Sequence, residues 1–182
     1  KPTGMLRETA GAIVGNKAIF PLVQDSQVKP FAVALMKKWA KMGYTSTVEL
    51  MGGPMGRTMK PELCRQLERE GALPLRINFA YTFFSLDDIA PGDTGRDTEL
   101  VHFAGLKLFV DGAAGQGGAW TSWPNKYSLN AVTTDDSKGK KYNIFRILEE
   151  SEKLGLDMHY HVGGDLAIDA VLSAIESWKT KN

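Results

Sequence analysis

Apolar and polar positions follow one recurring order along the chain: an amphipathic helix, a glycine, then a short apolar strand. Phe31, Leu35, Trp39 and Met42 recur every three or four residues and predict one apolar helical face, with Lys37, Lys38 and Lys41 mostly off it. Gly43 is the expected left-handed cap. Residues 45–50, rich in Thr and Val, predict a strand that Gly52-Gly53-Pro54 should end. The pattern then repeats. Pro61 suits a first helical turn, Leu63 and Leu67 form a buried stripe, and Glu68, Arg69 and Glu70 face water. Gly71 caps, and residues 73–79 predict a strand, extending as far as Phe84. A loop with Asp87, Asp88, Pro91 and Gly92 leads to a third strand at 106–110, followed by a long Gly-rich and polar stretch from Asp111 to about Lys140. The last unit is a helix over 142–154 with Phe145 and Leu148 inward, a Gly155 cap, a strand at 156–162 and a helix over 165–178 opened by Asp165. Four strands alternating with about five helices imply an α/β chain of parallel βαβ units, and the apolar strands suit a sheet covered on both faces.

Composition narrows the function classes. In 182 residues, 22 Lys+Arg offset 21 Asp+Glu, so the chain lacks the basic imbalance of a dedicated nucleic-acid binder. Hydrophobic residues at 43% exclude a disordered chain. A chain of this length buries roughly 70% of its extended surface and needs no staple to fold. No apolar run approaches the ~18 residues of a membrane span. With Cys64 alone there is no disulfide framework, which fits a reducing, cytoplasmic compartment as well as disulfide-free export.

The chemistry should gather at the C-terminal ends of the strands, where parallel α/β folds carry their sites. In Leu106-Lys107-Leu108-Phe109-Val110-Asp111, alternation puts Lys107, Phe109 and Asp111 on one face. A lysine in an apolar run is either solvated on an edge or ion-paired, with Asp111 among others, or it is functional: a Schiff-base former, a general base or a carboxylated metal ligand. His159 and His161 also share a face. Neutral imidazoles suit zinc, but two histidines alone equally read as hydrogen-bonded core or cleft residues. His102 reads as a loop-region surface histidine. The run from Gly112 to Gly118 fits neither the dinucleotide nor the Walker template, and reads as a rim loop or connector. Trp120 and Trp123 after it would either line a pocket or pack the loop. Cys64 reads as a small buried residue.

Gly105-Leu106-Lys107-Leu108-Phe109-Val110-Asp111-Gly112, the small-residue loop through Ala119, and His161-Val162-Gly163-Gly164-Asp165-Leu166-Ala167-Ile168-Asp169 resemble the amidohydrolase superfamily, in the branch of the YtcJ-like proteins and N-substituted formamide deformylase. Gly43-Tyr44-Thr45-Ser46-Thr47-Val48 resembles its "G-x-T-S-V" strand start, and Pro2-Thr3-Gly4-Met5-Leu6-Arg7-Glu8 its "P-T-G-x-L-x-E" segment. The resemblance implies a TIM-type (β/α)8 barrel, of which residues 1–182 would be a single partial segment holding about strands two to five. It implies that Lys107 and His161 are metal ligands, Lys107 carboxylated, with a divalent metal, zinc, as cofactor. His159, Asp111 and Trp120 would stand behind the ligands or touch substrate. The substrate would be a small amide-like molecule, hydrolysed at a C–N bond other than a peptide bond by metal-bound hydroxide. The family's first-strand His-x-His, a further histidine and an aspartate have no counterparts here. The general base and those ligands are therefore expected outside this chain, which should be inactive alone, with open sheet edges that invite self-association. Gly163 stands where the family has an apolar residue, and Gly115-Gln116-Gly117-Gly118 departs from its Ser/Arg-containing loop. The alternatives are a non-catalytic α/β binding domain and a lyase or aldolase with Lys107 as Schiff base. Neither nucleic acid nor a membrane is an expected partner.

Overall fold

The computed structural model describes residues 3–6, 9–52, 60–83, 87, 97–124 and 130–181. The expected strand end at Gly53-Pro54, the extension to Phe84, the loop residues Asp88, Pro91 and Gly92, and Pro2, Arg7 and Glu8 lie outside them. The elements are α1 (Thr9–Val14), α2 (Asp25–Lys41), β1 (Ser46–Gly52), α3 (Pro61–Arg69), β2 (Arg76–Phe83), β3 (Val101–Phe109), α4 (Ile144–Lys153), β4 (Met158–His161) and α5 (Asp165–Lys181). The four strands are parallel and lie in the order β1-β2-β3-β4. Sheet order that follows chain order is the mark of a singly wound fold; a doubly wound sheet reverses its order at a switch point. The architecture is therefore α/β, consistent with part of a TIM-type barrel, as expected. No helix among the described residues is long and apolar enough to cross a membrane.

The chain falls into two compact units, 15–82 with 90–106, and 1–14 with 83–89 and 107–182. In the first, α3 behaves as its pattern demands. Pro61 starts it, Leu63, Cys64 and Leu67 are buried, and the Ala72 amide closes the end on the Leu67 carbonyl at 2.8 Å. Glu68 corrects its expected solvent role. Its carboxylate accepts the Leu100 amide at 2.9 Å and the Thr98 hydroxyl, and so holds the turn into β3.

α2 corrects the expected apolar face. It starts at Asp25, so Pro30 lies inside it, and it buries Ala32 and Met36 while Phe31 is 78% exposed. Leu35 and Met42 are exposed too. The run Phe31-Ala32-Val33-Ala34-Leu35-Met36 carries two apolar stripes side by side, so periodicity cannot say which one the sheet takes. β1 and β2 pair in parallel from Ser46↔Arg76 to Glu49↔Phe79, with an irregularity before Gly52. The Thr82 hydroxyl donates to the Leu50 carbonyl at 2.9 Å across that slip. β3 starts at Val101, five residues before the expected start, and runs through Gly105. That residue sits at φ +105°, a conformation glycine adopts without strain. His102 accordingly sits on β3, half-buried, with Nδ1 3.6 Å from Asp97 and Nε2 3.1 Å from the Glu99 carbonyl.

In the second unit, α4 and α5 pack on each other. Ile144, Ile147, Leu148 and Ser151 are buried on α4; Ala167, Ala170, Val171 and Ala174 are buried on α5. Small residues on one helix admit larger aliphatics from the other. Asn143 caps α4 by accepting the Phe145 amide at 3.0 Å. Leu148 points inward as expected, but Phe145 is only half-buried, its place taken by Ile144 and Ile147.

Candidate functional site

The expected site residues all lie in the second unit, on β3, β4 and the segments that leave them. Lys107 is 8% exposed and forms no ion pair among the described residues. Lys107 is thus not solvated, and it has no ion pair with Asp111 or another described acid. Burial pulls its amine below the ordinary lysine range, toward the neutral form that can act as a nucleophile. Its Nζ lies 5.6 Å from the centre of the Phe109 ring, and that ring lies 4.8 Å from the His161 ring, tilted by 42°. Phe109 thus touches both candidate ligands. Its place two residues after Lys107 was visible as strand alternation, but nothing local pointed to His161.

Asp111 is fully buried. Its Oδ1 accepts the Gly163 amide and its Oδ2 accepts the Gly164 and Trp120 amides, each at 2.8 Å. The expected Lys107–Asp111 pair is replaced by three backbone donors, which satisfy a buried carboxylate without a cation. The turn after β4 comes so close to the loop that a Cβ on Gly164 would overlap the Trp120 backbone; one on Gly163 would sit 3.1 Å from the Gly112 carbonyl. The rim loop itself is a closed turn: the Gly112 amide donates to Gly118 at 3.0 Å and the Gly118 amide to Ala113 at 2.9 Å. Trp120 is half-buried and Trp123 is 61% exposed. Asp165 corrects its expected role as a cap. It is the first residue of α5, and its Oδ1 accepts the Ser122 amide at 2.9 Å, which holds its carboxyl below the usual range.

His159 and His161 both lie on β4 and are half-buried. Between them Tyr160 holds a buried hydroxyl with no hydrogen-bond partner among the described residues; burial pushes its pKa up to about 12. Cys64 is fully buried and its thiol is pushed up to about 12, first by burial and then by Glu49, so it is the inert residue expected.

Among the described residues no group of three or more His, Cys, Asp and Glu side chains is placed to hold a metal. Imidazole suits a divalent ion, whereas an ammonium does not. The donor set fits a metal in one way: Lys107 is buried without a counter-ion among the described residues, on the same strand as a ring that touches His161.

A parallel, singly wound α/β chain with a buried lysine and a half-buried histidine on adjacent strands belongs with the barrel proteins that carry their chemistry at the strand ends. The sequence profile of the amidohydrolase family matches residues 1–182, and the chain belongs to that family. It is 25% identical over 187 residues to the Bacillus subtilis (strain 168) protein named "Putative amidohydrolase YtcJ", covering all of this chain and 34% of that protein. Two solved structures share the fold, both of uncharacterized metal-dependent hydrolases. The one from Pyrococcus horikoshii OT3 has a TM-score of 0.65 at 22% identity, over 97% of this chain and 36% of that one. The one from Pyrococcus furiosus has a TM-score of 0.66 at 24% identity, over 97% and 38%. The chain spans about a third of the length of each.

Proposed function

We propose that this chain is a segment of a metal-dependent hydrolase that cleaves an amide-like C–N bond other than a peptide bond in a small molecule. One observation carries the reading: Lys107 is buried at a strand end with no acidic partner among the described residues. In this reading Lys107 and His161 hold a divalent metal, zinc. The Lys107 amine adds carbon dioxide and releases a proton, so that carbamate oxygens replace the ammonium as donors. Bound there, the metal supplies Lewis-acid polarisation of the carbonyl and a water of lowered pKa. Hydrolysis forms the new C–O bond, breaks C–N, and sends a proton to the departing amine. Phe109 holds the two ligand side chains apart from bulk water, Asp111 fixes the backbone behind His161, and His159 and Trp120 stand near substrate. The remaining ligands and the general base belong to other parts of a longer polypeptide, so the 182 residues alone are inactive.

The test is zinc content by plasma mass spectrometry on the natural full-length polypeptide, with Lys107→Ala and His161→Ala. Each variant should lose half or more of the bound zinc and fall below about 1% of wild-type amide hydrolysis. Full zinc in both variants would overturn the reading.

A groove in the other unit favours a second reading, that of a non-catalytic binding domain. It measures about 560 Å³ and is lined by Phe31, Leu35, Trp39, Val48 and Ile77 among others. β1 beside it is paired with β2 alone among the described strands. An unpaired edge next to exposed apolar side chains suits self-association with a second copy.

A further inference from the structure

We propose that Asp111 is the positioning residue for His161, setting the direction in which the imidazole is presented at the end of β4. The inference rests on reading His161 as a metal ligand only for its catalytic consequence; the positioning itself follows from the backbone.

Two consecutive residues hold both ends of the tetrapeptide that His161 begins. The Val110 amide donates to the His161 carbonyl at 3.1 Å. Asp111 takes the Gly163 amide on Oδ1 and the Gly164 amide on Oδ2. The segment from His161 to Gly164 is therefore fixed at its first carbonyl and at its last two amides by one short stretch of chain beyond β3. A hydrogen bond to a carboxylate is roughly twice as strong as one between neutral groups. The third bond, from Trp120, brings the rim loop into the same frame, and the Asp165–Ser122 bond ties the far end of that loop to α5.

The spacing leaves no slack. Gly164 has no room for a Cβ beside the Trp120 backbone, and Gly163 has 3.1 Å to the Gly112 carbonyl. The length of the Asp111 side chain thus sets how closely the turn approaches. A longer or broken clamp frees the turn that His161 begins, and its ring then moves out of its 4.8 Å contact with Phe109.

Asparagine is the discriminating substitution. It has the same shape, but one oxygen and one NH₂. With its oxygen toward Gly164 and Trp120, its NH₂ faces the Gly163 amide, donor against donor; flipped, it faces the other two. At least one of the three amides is therefore repelled, and the turn carrying His161 is pushed away.

The experiment uses the natural full-length polypeptide as wild type, Asp111→Asn, Asp111→Glu and His161→Gln, metal-free for NMR and exchange and loaded with Co²⁺ for absorption and kinetics. Asp111→Glu keeps the carboxylate but lengthens the arm that sets the approach of the turn, and carries the same readouts if Asp111→Asn does not fold. In both clamp variants the His161 Hε1 and Cε1 resonances should shift as the ring leaves Phe109, and the Gly163 amide should lose its protection from exchange. The Co²⁺ absorption bands should change, Co²⁺ affinity should fall about 10–100-fold, and kcat should drop with KM within about twofold. His161 resonances unmoved in both clamp variants would overturn the positioning role. A His161→Gln protein with wild-type Co²⁺ bands would sink the ligand reading alone, since the resonance shifts in the clamp variants would still stand.

Discussion

The end of β3 and the edge at β1 are both places where a strand meets loop or helix, and their chemistry is opposite. At the end of β3 a buried carboxylate has three partners, two glycines give their side-chain space to neighbouring backbone, and nothing polar at the clamp is left over. Beside β1, apolar side chains are left over: Phe31, Leu35, Val48 and Leu50 are exposed, and the first three line a groove whose walls are mostly apolar. A satisfied polar clamp admits one arrangement, because each lost bond leaves a buried orphan. An unpaired apolar edge is non-directional and takes any surface that fits. The first region holds one geometry, and the second leaves apolar surface open.

The largest expected break in that comparison is Asp111→Ala. It leaves three amides without that acceptor, two of them only part-buried, so at the low end of about 1–3 kcal/mol each urea melts should show stability lower by roughly 3 kcal/mol. A loss under about 1 kcal/mol would mean the clamp is dispensable. Phe31→Ser should do the opposite. An exposed substitution changes stability by no more than about 0.5 kcal/mol, while in the reading that seats a second copy in the groove light scattering should show a lower associated fraction than wild type. Equal association in both would remove the groove from the interface.

The smallest effect sharpens the contrast inside the first unit, where the core under α3 is as closed as the clamp. Cys64 should resist iodoacetamide at pH 8 until denaturant is added, since its thiol titrates near 12 in the fold. The sign of the pH effect follows from that raised value. Below the ordinary thiol value of 9.0 both states are protonated and the contribution is whole. Between 9.0 and about 12 only the unfolded chain loses the proton, so stability should fall as pH rises. Alkylation of the folded protein at the unfolded rate would show that the burial is not maintained.

Much of the fold was legible where one local signal sufficed. The α3 stripe, the order of strands and helices, and the glycine caps at Gly43, Gly71 and Gly155, at φ +91°, +65° and +66°, all follow from periodicity and from glycine's backbone freedom. Lys107 and His161 were legible as candidates because a lysine in an apolar strand and an alternating histidine pair are rare patterns. Their common neighbour Phe109 carries no such mark.

What was not legible has a single cause. The α2 stripe, the role of Glu68, the role of Asp165 and the bonds of Asp111 depend on partners far along the chain: Glu68 meets residues 98 and 100, and Asp111 meets residues 120, 163 and 164. Sequence by itself determined the element types, their order and the chemistry available at the strand ends, because φ/ψ preference and side-chain period act within a few residues. Tertiary structure alone decided which of two apolar stripes was buried and which backbone amides a carboxylate would collect. Burial and hydrogen-bond satisfaction are properties of the space a residue enters, and that space is made by segments brought together only on folding.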